Sequence, residues 1–299
     1  MKKALAILFM LLLISSAASA EKQLEAPFMP ESSGAVIAAA AAKALDMELH
    51  LTDDADIVKA ADAMLQAPGT PLCADQSLFI ASLQGYTSQD LRVAMQPVCR
   101  IAASQLYLVV HIQTAADLGI SDADSFLSYI REHEYEAFLA RHIDADVIDR
   151  AVVRLAESLP VFTEGYLENE IVPALESGEV LAAVMNGKQI AEAASDLLPL
   201  CSLGDERTAE HPELPCAGEL ELPVCEGSVI YIFVSSDTED AAVQALASVC
   251  LSMDPASADG AAGYSFKPLA GEELKETIRG LIADYIGYMT SEGLFFYEE

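Results

Sequence analysis

Positive charge is scarce in this chain. Sixteen lysines and arginines stand against 47 aspartates and glutamates, for a formal net charge of -31. A surface of that sign repels nucleic acid and anionic lipid and excludes both as partners. It also opposes an anionic ligand at long range, although salt screens that field beyond about 8–10 Å. A carboxylate would have to be held by local donors that prevail over the global field. The ordinary use of so much charge is a solvated, soluble surface.

The motifs of common catalytic machinery are missing too. The chain has no G-x-S-x-G, no H-E-x-x-H, no phosphate-binding loop and no G-x-G-x-x-G. His133-Glu134 begins like a zinc motif, but the next histidine, His142, comes too late to share its helical face. Neighbouring acids such as Glu168 and Glu170 carry little information in a chain this acidic. No nucleophile, base and orienting group fall into a set, so the expectation is a protein that is not an enzyme, with no cofactor and no metal. The six cysteines, Cys73, Cys99, Cys201, Cys216, Cys225 and Cys250, include no C-x-x-C pair. In an exported protein an even number reads as a disulfide framework. The crowding of Cys201, Cys216 and Cys225 predicts at least one bridge among those three.

The N-terminus supplies the reason to expect export. Lys2 and Lys3 precede an apolar run from Leu5 to Ile14, and Ala18-Ser19-Ala20 ends it in small residues. That order is a secretory signal peptide over 1–20. The run is half the roughly 20 residues needed to span a bilayer, so cleavage rather than anchoring is expected. Its removal takes Lys2 and Lys3 with it, and no later run is long and apolar enough to cross a membrane.

Beyond the leader, short strand-like runs alternate with helical ones, the pattern of an α/β fold. Strands are expected at Gln23 to Phe28, Glu48 to Thr52, Pro71 to Ala74, Leu106 to Ile112, Val161 to Glu164, Val180 to Met185 and Ser228 to Val234. An alanine-rich helix runs from Gly34 to Leu45, and Ser121 is positioned to cap a helix starting at Asp122. Leu274, Ile278, Leu281, Ile282, Tyr285, Ile286 and Met289 mark a long amphipathic helix near the end. Gly204 to Gly218 reads as a loop.

Two loops at strand ends are candidate binding elements. Pro30-Glu31-Ser32-Ser33-Gly34 lies where a strand gives way to a helix N-terminus, whose unpaired amides attract anions. Ser32 and Ser33 add hydroxyl donors there, or else simply cap the helix. Asp75-Gln76-Ser77 follows another strand and would lie near the first loop if the two strands are parallel neighbours.

With these segments in order, the chain resembles the substrate-binding proteins of tripartite tricarboxylate transporters, the TctC/Bug family, over nearly all of its mature length. Ala26-Pro27-Phe28 leading into Ser32-Ser33-Gly34 stands where the family has Pro-Tyr, a glycine-rich loop and a helix. Ala67-Pro68-Gly69-Thr70-Pro71-Leu72 matches its Pro-Asp-Gly-Tyr-Thr-Leu turn, with Ser77 in the loop beyond. Met95 to Val98 through Leu106 to Val110 is similar to its crossing into a second domain. Gly165-Tyr166 with Leu175 to Val180, Glu213 to Leu220, and Pro268 to Leu274 resemble its later segments.

The resemblance implies a two-domain, periplasmic-binding-protein-like (type II) α/β fold with a ligand cleft between the lobes. Domain 1 would be discontinuous, 21–106 with 230–299, and domain 2 would be 107–229. It further implies a monomeric periplasmic protein that captures a small organic acid for the membrane permease of such a transporter. The alternative is a diverged binding module or sensor partner that no longer serves transport. The expected ligand-binding set is Ser32, Ser33, Gly34, Asp75, Gln76, Ser77, Arg141 and Tyr166. Arg141 enters because Ala140-Arg141-His142-Ile143-Asp144 stands where the family has a Gly-Ser-rich, ligand-facing turn; a guanidinium fork would there replace lost amide donors.

Overall fold

A computed structural model describes residues 22–67, 69–143, 146–193, 196–258, 260–261 and 263–292. The expected signal peptide, 1–20, lies outside the described residues. The chain forms two compact units: one holds the residues through Ala102 with Val229–Ala261 and Phe266 onward, the other Ala103–Ser228 with Ala262–Ser265.

The first unit is built on a six-stranded sheet. Its strands are β1 (Gln23–Ala26), β2 (Glu48–Leu51), β3 (Leu72–Asp75), β4 (Met95–Ser104), β10 (Val229–Ser235) and β11 (Tyr264–Ala270), in the order β11-β4-β10-β3-β1-β2. β1 runs parallel to both β2 and β3, while β10 runs antiparallel to β3. Every residue of β10 is buried, which explains its unbroken apolar reading as a strand covered on both faces. The alanine-rich segment is helix α1 (Ser33–Leu45), whose small residues let it lie close on the sheet. α2 (Ile57–Gln66), α3 (Ser77–Leu83) and α4 (Leu91–Ala94) follow the early strands. α10 (Asp240–Cys250) and α11 (Glu272–Ser291) complete the unit, the latter burying Leu274, Ile278, Tyr285, Tyr288 and Met289.

The second unit has five strands, β5 (Leu106–His111), β6 (Phe138–His142), β7 (Phe162–Tyr166), β8 (Ala182–Asn186) and β9 (Leu197–Ser202), ordered β7-β6-β8-β5-β9. β6 is parallel to β7 and β8, whereas β5 is antiparallel to β8 and β9. Alternation along β5 divides two cores. Leu106, Leu108 and Val110 join one apolar cluster, and Tyr107 and Val109 join the other on the opposite face. Its helices are α5 (Ile112–Leu118), α6 (Ala123–Glu132), α7 (Asp146–Ser158), α8 (Glu168–Ser177) and α9 (Gly187–Glu192).

Two local expectations are corrected. α6 starts one residue later than expected, and its cap is Asp122, not Ser121. The Asp122 carboxylate accepts the Ser125 N–H at 2.8 Å, while the Ser121 hydroxyl only donates to that carboxylate. Ala140 to His142, expected as a ligand-facing turn, belongs to strand β6.

Candidate functional site

β1 and β3 are parallel neighbours, so the loops that follow them leave the first sheet at the same end. Ser32 caps α1: its backbone is extended and its Oγ accepts the Ala35 N–H at 3.2 Å. The same hydroxyl donates to the Met29 carbonyl at 2.7 Å, so the turn uses it in both directions. Ser33 is the first helical residue. Gly34 is fixed by packing, because a Cβ there would sit 2.5 Å from the Phe28 ring. Only glycine lets that aromatic lie over the first turn of α1, which carries no acidic side chain of its own. The partial positive charge of the helix end is therefore not met by a carboxylate from its own first turn.

In the second loop, Asp75 Oδ1 accepts the Ser77 N–H at 3.0 Å and the Ser77 hydroxyl as well. Gln76 is fully buried, and its Oε1 accepts the Val229 N–H at 2.5 Å. The expected ligand-binding set included neither Phe28, named in the family match, nor Thr52. Thr52 stands just past β2 at this same end, with its N–H on the Ala26 carbonyl at 3.0 Å. Its Oγ1 is buried with no hydrogen-bond partner among the described residues. Its place after a strand parallel to β1 was the available signal.

Arg141 and Tyr166 belong to the second unit, at the ends of parallel neighbours β6 and β7. His142, not Arg141, pairs in register with Tyr166, so Arg141 projects from the opposite face. There its Nε and Nη2 donate to the two oxygens of Asp149 on α7, at 2.9 and 2.5 Å. Asp149 is only 4% exposed, so the guanidinium fork is committed to a nearly buried carboxylate. His142 is buried as well, with Nε2 2.7 Å from the Val184 carbonyl, a contact in which Nε2 carries a proton and donates it. Tyr166 is half-buried; burial raises its phenol above the usual range, and Glu179 and Glu164 add to that.

The cysteine expectation is overturned, for all six cysteines are free thiols and all are buried. Closeness in sequence did not bring Cys201, Cys216 and Cys225 into bonding geometry. Cys201 and Cys225 lie in the apolar cluster on one face of the second sheet. Cys216 is instead bridged to Ser202, whose side chain alternates to the other face, and its Sγ donates to the Asp205 carbonyl at 3.2 Å. Burial pushes the Cys201 thiol up to about 12. These thiols pack as small apolar side chains. Among the described residues, no group of three His, Cys, Asp or Glu is placed to hold a metal ion. Nor is any helix among them long and apolar enough to cross a membrane.

No family model matches the sequence, and no curated protein matches it. Solved structures do match. A TctC solute-binding protein from Polaromonas superposes with a TM-score of 0.73 at 14% identity, over 92% of this chain and 99% of that one. A protein of R. palustris solved with adipate gives 0.60 at 15% identity, over 93% and 98%. MatC from Rhodopseudomonas palustris, solved with bound malate, gives 0.54 at 16% identity, over 90% and 97%. At such identities the likeness is one of fold, and the fold of this chain is the two-lobed, periplasmic-binding-protein-like α/β fold of the TctC and Bug solute-binding proteins.

Proposed function

We propose that this chain is an exported solute-binding protein that captures a small organic acid and delivers it to the permease of a tripartite tricarboxylate-type transporter. The observation that carries the reading is the match to a TctC solute-binding protein along almost the full length of both chains. Two further matches were solved holding dicarboxylates, adipate and malate. The first unit offers local support. The N-terminus of the 13-residue helix α1 opens at a strand end with Ser32, Ser33 and Gly34 and no acid in its first turn. Backbone amides and Ser33 there would hold a carboxylate by charge-assisted hydrogen bonds, against the repulsion of the chain as a whole. Asp75, Gln76 and Ser77 shape the neighbouring loop. Capture of this kind needs no covalent chemistry.

A second reading, a binding module outside transport, is favoured by the groups that satisfy one another: Asp75 with Ser77, and Arg141 with Asp149. One experiment serves both readings. Thermal unfolding is followed with dicarboxylates, tricarboxylates, aromatic acids and amino acids. A ligand at 100 times its Kd adds about 2.7 kcal/mol of stability. Stabilisation by an acid supports the first reading, and uptake of that acid by cells carrying the permease completes it. Stabilisation by amino acids alone, with every acid silent, removes the carboxylate assignment.

A further inference from the structure

We propose that the outer edge of β7 is a docking strand for an extended, basic segment of a partner protein. This inference is independent of the ligand assigned above. β7 is an edge strand, paired only with β6 among the described residues. Phe162 donates its N–H to the Ala137 carbonyl, and the Tyr166 carbonyl accepts the Ile143 N–H. The backbone groups of 162, 164 and 166 thus turn inward to β6. Those of Thr163 and Gly165 turn outward, where an added strand would find them.

The side chains beside that edge are unusual for solvent. Phe162 is 48% exposed and Tyr135 59% exposed, with ring centroids 5.7 Å apart, and the part-buried Phe138, packed against the core, lies 5.5 Å from Phe162. Tyr135 is held there with φ at +59°, a conformation costly for a non-glycine residue, by a 2.7 Å bond from its N–H to the Pro160 carbonyl. Contiguous exposed aromatics of this kind mark an interaction surface.

Charge selects the occupant. Glu134, Glu136 and Glu164 are exposed around the aromatics, and Glu164 stands at the centre of β7. An antiparallel pairing of β7 with a second copy, centred on the strand, would set Glu164 directly against its own equivalent, a destabilising contact. An anionic bilayer is repelled by the same carboxylates. A strand bearing lysine or arginine opposite Glu164 gains a cross-strand ion pair, and its cations also suit the faces of Tyr135 and Phe162.

The test uses the full chain and two capped seven-residue peptides, one alternating lysine with valine and the other glutamate with valine. The lysine peptide is expected to slow amide hydrogen exchange at Thr163 and Gly165 and to bind about tenfold more tightly than the glutamate peptide. Glu164→Lys, its fold checked by its melting temperature, should reverse that order, and Phe162→Ser should weaken both. The proposal is overturned by protection elsewhere than β7, by indifference to peptide charge, or by an order that Glu164→Lys leaves unchanged. Self-association through β7, or binding of vesicles of anionic lipid in place of the peptide, overturns it equally.

Discussion

The side-chain oxygen of Gln76 accepts the backbone N–H of Val229, so the loop after β3 is bonded to the first residue of β10 as the chain re-enters the first unit. Gln76 has no exposed surface, and the bond is charge-neutral and short. Its role in the fold is thereby defined: it fastens the start of a fully buried central strand to the loop that bears Asp75 and Ser77.

Gln76→Met keeps the volume but removes the acceptor, leaving a buried N–H without its partner. The expected loss is about 1–3 kcal/mol, the desolvation cost of such a group. Urea unfolding that shows no shift in midpoint would remove Gln76 from this role.

The caps make a prediction in pH. Asp56 accepts the N–H groups of Val58 and Lys59 at 3.0 and 3.1 Å at the start of α2. The hydrogen bond from Lys59 N–H, foremost, holds its carboxyl below the usual aspartate range. A carboxyl depressed in the folded state stabilises fully above its unfolded pKa, about 3.9, and loses that contribution as pH falls through the folded value. Asp56→Ala is therefore expected to cost about 1 kcal/mol at neutral pH, the usual worth of a cap. The gap between variant and parent should close in melts taken well below pH 4. A gap that stays constant to low pH would show that the cap acts without its charge.

The thiols are predicted to be inert in the native state. Exposed cysteines titrate near 8.5 and react as thiolates, whereas burial pushes Cys201 up to about 12 and raises Cys73. Cys250 is raised first by its hydrogen bond with Cys99, and the same bond lowers Cys99, which its complete burial alone keeps from reagent. At pH 8 an aromatic disulfide reagent should therefore label the folded protein at most slowly and all six cysteines once it is unfolded in guanidinium. Rapid native labelling of Cys201 would contradict its burial.

Much of the fold was legible in the sequence where elements carry their own pattern. α1, β5, β10 and α11 declare themselves through alanine content, apolar runs or helical spacing, and the structure places them within a residue or two of expectation. Four strands were not declared. β9 and β11 contain Pro199 and Pro268, tolerated because both strands lie at sheet edges. β4 carries Pro97 and Arg100, and the Arg100 guanidinium reaches the Lys267 carbonyl, 167 residues away. β6 hides behind Arg141 and His142, which read as a polar turn until their distant partners Asp149 and Val184 are known. The candidate site was legible as loops at strand ends. What the side chains do there depends on contacts such as Phe28 on Gly34 and Gln76 on Val229, which local spacing does not encode.

Arg141 separates a structural role from a ligand-binding one. Its Nε and Nη2 are both spent on Asp149, and it is 23% exposed while Asp149 is 4% exposed. Removing the cation strands a nearly buried carboxylate, a change that costs about 3–5 kcal/mol in fully buried pairs. The partial exposure of Arg141 lets water compensate in part, so Arg141→Met is expected to lose on the order of 3 kcal/mol, at the lower end of that range. Arg141→Met combined with Asp149→Leu removes both charges and should recover most of the loss, since an apolar pair of similar volume often replaces an ion pair without penalty. The same variants are titrated with whichever acid stabilises the parent. A double variant that regains stability and keeps the parent's affinity assigns Arg141 to the support of β6 on α7. One that regains stability but binds tenfold more weakly, a difference of about 1.4 kcal/mol, returns the guanidinium to the ligand.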